Sequence, residues 1–238
     1  YAIGQGTLSA GSNYTLTYVG DNLTITPTPL TVTADPQTKV YGALDPIFTY
    51  TANGFTNGDT ATVFTGALDR VTGENVGLYA IGQGTLSAGA NYTLTYVANN
   101  LDITAAPLTI TANDDTRVYG AANPTFTASY TGFVNGDTTA SLTTPVILGT
   151  TAVPTSPVGT YPITATGATS SNYTITHVDG TLTVTIAPLT VTADPQTKVY
   201  GTLDPVLTYQ ITTGALASGD SLVGTLDRVA GETVGLYA

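Results

Sequence analysis

The stretch LDITAAPLTITA at residues 101–112 decides how this chain is read. Its first four residues close the run NLDIT, which has strand composition, and PLTITA opens another such run. The equivalent LTVTA at 30–34 puts Leu30, Val32 and Ala34 on one phase and Thr31 and Thr33 on the other, the period of a strand with one buried face. Only two or three residues separate the strands. One of them is Pro107, which fixes its own φ and favours an extended chain before it. A link this short and stiff predicts β domains joined into a rod, not loose beads, with a rigid junction at Thr104–Pro107. The join recurs as LTVTIAPLTVTA at 182–193.

Outward from the join, everything repeats. The Pro of PLT[VI]TA stands at 29, 107 and 188, and the Tyr of VYG at 41, 119 and 200, so both markers are spaced 78 and 81 residues apart. NYT keeps the same spacing from Asn13, Asn91 and Asn172. GD[TS] recurs at Asp59, Asp137 and Asp220. Residues 27–104 and 105–185 read as complete units. Residues 1–26 read as the closing part of a unit and 186–238 as the opening part of one. The expectation is that 186–238 is completed by residues 1–26 of a neighbouring copy, either along one longer repetitive chain or by strand exchange between chains. YAIGQGTLSAG at 1–11 reappears unchanged at 79–89, and YTLTYV at 14–19 reappears at 92–97.

Inside a unit the reading is nearly all strand. YTLTYV puts Tyr92, Leu94 and Tyr96 on one face, and ADPQ, LDP, TNGD and TGEN carry turn chemistry. FTNGDTATVF at 55–64 has room for one helical turn, with Asp59 or Thr60 as its cap. The fold class is therefore mostly β: tandem small domains with sandwich or β-grasp-like packing.

Composition narrows the function. The 238 residues hold 16 acids against 5 bases, a net charge of −11, with no Cys, Met or Trp, and about a fifth are Thr. Such a surface repels nucleic acid and anionic membranes, whose binding rests on Lys and Arg. Disulfide and thiol chemistry is absent. No apolar run approaches the ~18 residues of a membrane span, so no membrane contact is expected in this segment.

Candidate chemistry is thin. His177 is the only His, and Tyr18 and Tyr96 fill its place elsewhere, so it reads as structural. Glu74 and Glu232 are equivalent, but the middle unit has no Glu there, so no carboxylate pair repeats. Lys39 and Lys198 share a slot with Arg117; the slot wants a cation beside a carboxylate, and a guanidinium cannot serve as the amine of a crosslink. Acidic turns leave calcium as a possible cofactor, with Asp59, Asp137 and Asp220 as candidate ligands, although no EF-hand is present. Thr-x-Thr runs read as solvent-facing strand positions, not as an ice-binding array. The Asn-Tyr-Thr sequons read as strand starts. The structural motif is the pair Tyr41–Gly42, with Tyr119–Gly120 and Tyr200–Gly201; each Tyr is expected in the core and each Gly at a turn.

LTVTADPQTKVYGALDPIFTY (30–50), NGDT (57–60), GENVGLYAIGQGTLSAGANYTLTYV (73–97) and LDIT (101–104) resemble the MBG family of bacterial surface-protein repeats in its YGX form. The middle unit keeps most of this but replaces ALDRVTGEN with PVILGTTAVPTSPVGT. The resemblance implies tandem β-rich domains in large adhesins and exoproteins, outside the bacterial cell, and brings no defined ligand residues. The expected function is a structural stalk or fibre segment of an extracellular adhesin or filament, not an enzyme. Its expected partners are neighbouring copies placed head to tail. The alternative is an adhesive module that binds a host glycan or protein.

Overall fold

Strands dominate residues 1–237, the part that the computed structural model describes. They fall into two compact units, residues 1–105 and the chain from Ala106 onward. In the first unit the strands are β1 (Thr28–Ala34), β2 (Gln37–Val40), β3 (Tyr50–Asn53), β4 (Asp69–Arg70), β5 (Gly77–Gly82), β6 (Tyr92–Val97) and β7 (Asn99–Thr104). They form two sheets, ordered β3-β1-β6 and β2-β7-β5-β4. β1 runs parallel to β6, with Leu30 opposite Leu94. β2 runs parallel to β7, with Lys39 opposite Ile103. β3, β4 and β5 pair antiparallel.

The second unit opens with the same plan: β8 (Ala106–Ala112), β9 (Asp115–Val118), β10 (Ala128–Thr131), β11 (Ile147–Gly149), β12 (Gly159–Thr166), β13 (Tyr173–Val178) and β14 (Gly180–Thr185). Its sheets are β10-β8-β13 and β11-β12-β14-β9. It continues into a two-stranded pair, β15 (Thr190–Ala193) with β16 (Tyr209–Thr213).

The alternation explains the core. Leu30, Val32 and Ala34 of β1 point inward and are buried, as are Ile81 of β5 and Leu101 and Ile103 of β7. In the second unit Ala112 of β8 packs with Ile163 and Ala165 of β12 and Leu182 of β14, so the core lies between the two sheets. This is the sandwich of the two expected packings. A β-grasp needs a helix, and among the described residues the only helices are three-residue 3₁₀ turns, Ala61–Val63 and Thr139–Ser141. Thr60 caps the first of them, the second of the two caps that the local sequence offers. Between β7 and β8 only Ala105 intervenes.

Candidate functional site: the Tyr-Gly turn, its ionic cluster and the aspartate turn

The Tyr-Gly pair follows the short strand β2 or β9. The backbone N–H of Tyr41 donates to Thr104 O at 2.8 Å, and that of Tyr119 to Thr185 O at 2.8 Å, so each turn is tied to the last strand of its own repeat. The glycines hold φ of 80°, 84° and 83° at Gly42, Gly120 and Gly201, the left-handed region that a side chain resists. Expected burial is met unevenly. Tyr41 is buried and Tyr119 half-buried, but Tyr200 is 72% exposed. The correction for Tyr200 has a physical reason: no last strand lies beside it in residues 186–237, so nothing ties its turn or covers its ring.

Two residues before each Tyr of the Tyr-Gly pair comes the cation. Lys39 is buried and inward-facing, and its ammonium donates to Asp45 Oδ1 at 2.7 Å and to Glu74 Oε2 at 2.6 Å. Arg70 closes the ring of charges. It donates to Asp45 Oδ2 at 2.5 Å and Glu74 Oε1 at 2.5 Å, and to the carbonyls of Val71 at 3.0 Å and Gly73 at 2.6 Å. Its guanidinium also stacks 5.5 Å from the centre of the Tyr79 ring. Burial works against the Lys39 charge, but the hydrogen bonds it donates to Asp45 and Glu74, with their negative charges, outweigh it and raise its pKa above the ordinary value. The Arg70 hydrogen bond, helped by Lys39, holds Asp45 down to about 2. Glu74 is lowered by Lys39 first and Arg70 second. The amine is thus protonated and its carboxylate neighbours ionised, a state suited to an ion pair and not to amide formation. Lys198, Asp204, Arg228 and Glu232 rebuild the cluster, with the Lys198 ammonium 2.6 Å from Asp204 and 2.8 Å from Glu232.

The middle repeat solves the same place differently. Arg117, itself buried, donates to Asn123 Oδ1 at 2.8 Å, Val153 O at 2.5 Å and Pro154 O at 3.2 Å. One guanidinium from β9 does what Lys39 and Arg70 do jointly. Sequence reading anticipates the cation slot and its carboxylate but misses Arg70 and Arg228. The signal was present: ALDR and GE vanish together from the middle unit, and there Asn123 stands in the place of Asp45.

The GD aspartates, read as calcium candidates, lie singly. Asp59 Oδ2 accepts from the Tyr92 hydroxyl at 2.8 Å, and Asp137 Oδ2 from the Tyr173 hydroxyl at 2.8 Å. Each therefore binds the Tyr of its own NYT. Asp220 lies beside the Tyr119 hydroxyl of the preceding repeat, and hydrogen bonding to its carboxylate raises the pKa of that phenol. Gly120 packs against the same turn: a Cβ there would sit 3.3 Å from the Ala217 methyl. Among the described residues no three His, Cys, Asp or Glu side chains converge as a metal site would require. His177 in β13 keeps a buried Nε2 without a hydrogen-bond partner, whereas Tyr96 at the equivalent place donates to Ile81 O at 2.9 Å.

Comparison with known proteins agrees with this repeated plan. No curated protein matches the chain. The family model for the MBG domain (YGX type) matches three times, at residues 30–102, 108–183 and 189–238, in step with the three Tyr-Gly turns. The chain belongs to the MBG domain family, YGX type.

Proposed function

We propose that this chain is a stalk segment of a bacterial surface protein, a spacer that carries load and not a catalyst or a receptor. The observation that carries the reading is the contact of the Tyr119–Gly120 turn with Ala217 and Asp220: the motif that closes one repeat also seats the next. Side-chain placement supports it. Tyr41, Tyr92 and Tyr173 are buried, while Thr31 and Thr95 face solvent. The open groove on β1 and β3, about 790 Å³, is lined by Thr31, Thr33, Thr51 and Asn53 with no aromatic residue on which a sugar could stack. The proposed place is the outside of the cell, where the absence of Cys is no handicap and a net charge of −11 favours solubility.

Small-angle scattering tests the reading. A stalk should give one extended particle, with roughly 35–45 Å added per repeat if the strands lie along its length. A compact particle, or a broad spread of angles between repeats, would remove the spacer reading. Saturable binding to a glycan array would favour the adhesive alternative.

A further inference from the structure

Two turns meet inside the second unit: the Tyr-Gly turn that follows β9, and the turn of residues 217–220 by which the third repeat is entered. The first is held stiffly from behind. Tyr119 N–H donates to Thr185 O at 2.8 Å, Gly120 N–H to Pro154 O at 3.0 Å and Ala121 N–H to Val118 O at 3.2 Å. Pro154 O also accepts from the buried Arg117 at 3.2 Å, so the turn leans on the cation of its own repeat. The second turn is closed by Asp220 N–H, which donates to Ala217 O at 3.0 Å and keeps the alanine methyl near the carboxylate.

The contact between them has two points. The Tyr119 hydroxyl donates to the Asp220 carboxylate. Gly120 comes so close to Ala217 that a Cβ on the glycine would lie 3.3 Å from the alanine methyl, inside the ~3.5–4.0 Å of a relaxed carbon contact. Ala217 is accordingly half-buried, while 211–216 and 218–220 are exposed. A carboxylate accepts from several donors. The aspartate of such a turn can therefore hold a phenol of its own repeat, as Asp59 and Asp137 do, together with the phenol of the repeat before it.

The repeats differ at the first of these points. Three residues before the aspartate, Thr56 and Val134 stand in the place of Ala217. Both are β-branched and carry two more heavy atoms on Cβ, which the gap beside Gly120 has no room for. We propose that the Tyr119–Gly120 turn is a selective lock, which accepts an entry turn with a small residue at position 217 and a carboxylate at position 220 and rejects the branched residue that repeat two carries in its own entry turn. The order of the repeats is then written into the joint: repeat three fits behind repeat two, and a second copy of repeat two does not. This rests on the contact used for the stalk reading and adds what that contact selects, and it can fail while the spacer stands.

The chain has no Cys, so a pair of introduced cysteines takes spin labels cleanly. Thr176→Cys in β13 and Gln210→Cys in β16 place them at exposed positions on either side of the joint. Double electron–electron resonance on the labelled full chain should give one narrow distance. Tyr119→Phe and Asp220→Ala should each lower the seated fraction by about tenfold and spread that distance. The double variant should do no more than either alone, because both remove one bond. Ala217→Val should spread the distance too, whereas Ala217→Ser, which keeps the small side chain, should leave it narrow. Circular dichroism should show the same strand content in every variant. A narrow distance in Tyr119→Phe or in Ala217→Val, an additive double variant, or equal spreading from Ser and Val would each overturn the lock. Scattering from the same chain judges the spacer separately: an extended particle whose label distance no variant moves would remove the lock alone.

Discussion

The first and second repeats hold their Tyr-Gly turns with different chemistry. Repeat one uses two cations and two carboxylates: Lys39, Arg70, Asp45 and Glu74. Repeat two uses Arg117, one amide and a set of loop carbonyls. Both arrangements satisfy the carbonyls of the loop that follows the fourth strand of the repeat: Val71 and Gly73 in one, Val153 and Pro154 in the other. The fold therefore asks for donors at this place and not for an ion pair as such. Ion pairing is how repeat one neutralises having brought a second buried cation and two acids to the same point.

Substitution at the cations breaks the comparison most strongly. Arg117→Met leaves several buried carbonyls and the Asn123 amide without their donor, and should cost about 3 kcal/mol. Lys39→Met leaves Arg70 on both carboxylates and should cost about 1–2 kcal/mol. Hydrogen exchange read by mass spectrometry assigns the loss to one repeat or the other. Equal losses would mean that the lysine, not the arginine, anchors repeat one.

Acid sharpens the same contrast. The folded Asp45 titrates at about 2, below the ~3.9 of an unfolded aspartate. A lowered carboxylate stabilises the folded state above the unfolded value, and that stability drains away as pH falls from about 4 to about 2. Asp45 is about a third exposed, so solvent screening trims the effect to the order of 1 kcal/mol. Asp45→Asn, which copies the amide of repeat two, should be less stable than the parent at pH 7 and indistinguishable from it near pH 2 in urea unfolding. A gap that persists at both pH values would show that the charge of Asp45 is irrelevant.

The smallest effect concerns His177. Copying repeat one with His177→Tyr supplies a hydroxyl that reaches the carbonyl at the Ile163 position, as Tyr96 reaches Ile81, and removes an unpaired buried nitrogen. A gain of about 1 kcal/mol in the thermal transition of the second repeat is expected. A loss would show that the imidazole has a role which Tyr96 does not fill.

Much of the fold was legible because it is local. Alternation in LTVTA and YTLTYV marked the buried faces of β1 and β6, and the pair Asp59–Thr60 marked the 3₁₀ turn that Thr60 caps. Strand partners were not legible, since a period of two says which face is buried but not which strand lies alongside. That β1 pairs parallel with β6, some 60 residues later, follows only from closing two sheets over one core. The candidate site was half legible. Lys39, Arg117 and Lys198 announced a cation slot, while Arg70 lay hidden in a segment that reads as turn and strand edge. The aspartates were ambiguous for a simple reason: a carboxylate in a turn looks the same whether it serves a metal or a phenol. The Asp of GD and the Tyr of NYT recur together in both complete repeats, 33 residues apart in one and 36 in the other, which was the available clue to the phenol.

The parallel pairing has a mechanical meaning. Tension along the chain enters a repeat at the start of β1, near Thr28, and leaves at the end of β7, near Thr104. β1 lies parallel to β6, and β7 lies parallel to β2. Pulling the two ends apart slides β1 lengthwise along β6 and β7 lengthwise along β2. The bonds of each ladder are strained side by side, six register pairs in one and four in the other, instead of being peeled off one at a time. Each repeat is thus closed by two shear clamps, and the Tyr41 and Tyr119 turns are tied by a hydrogen bond to the final residue of the last strand of each, Thr104 and Thr185.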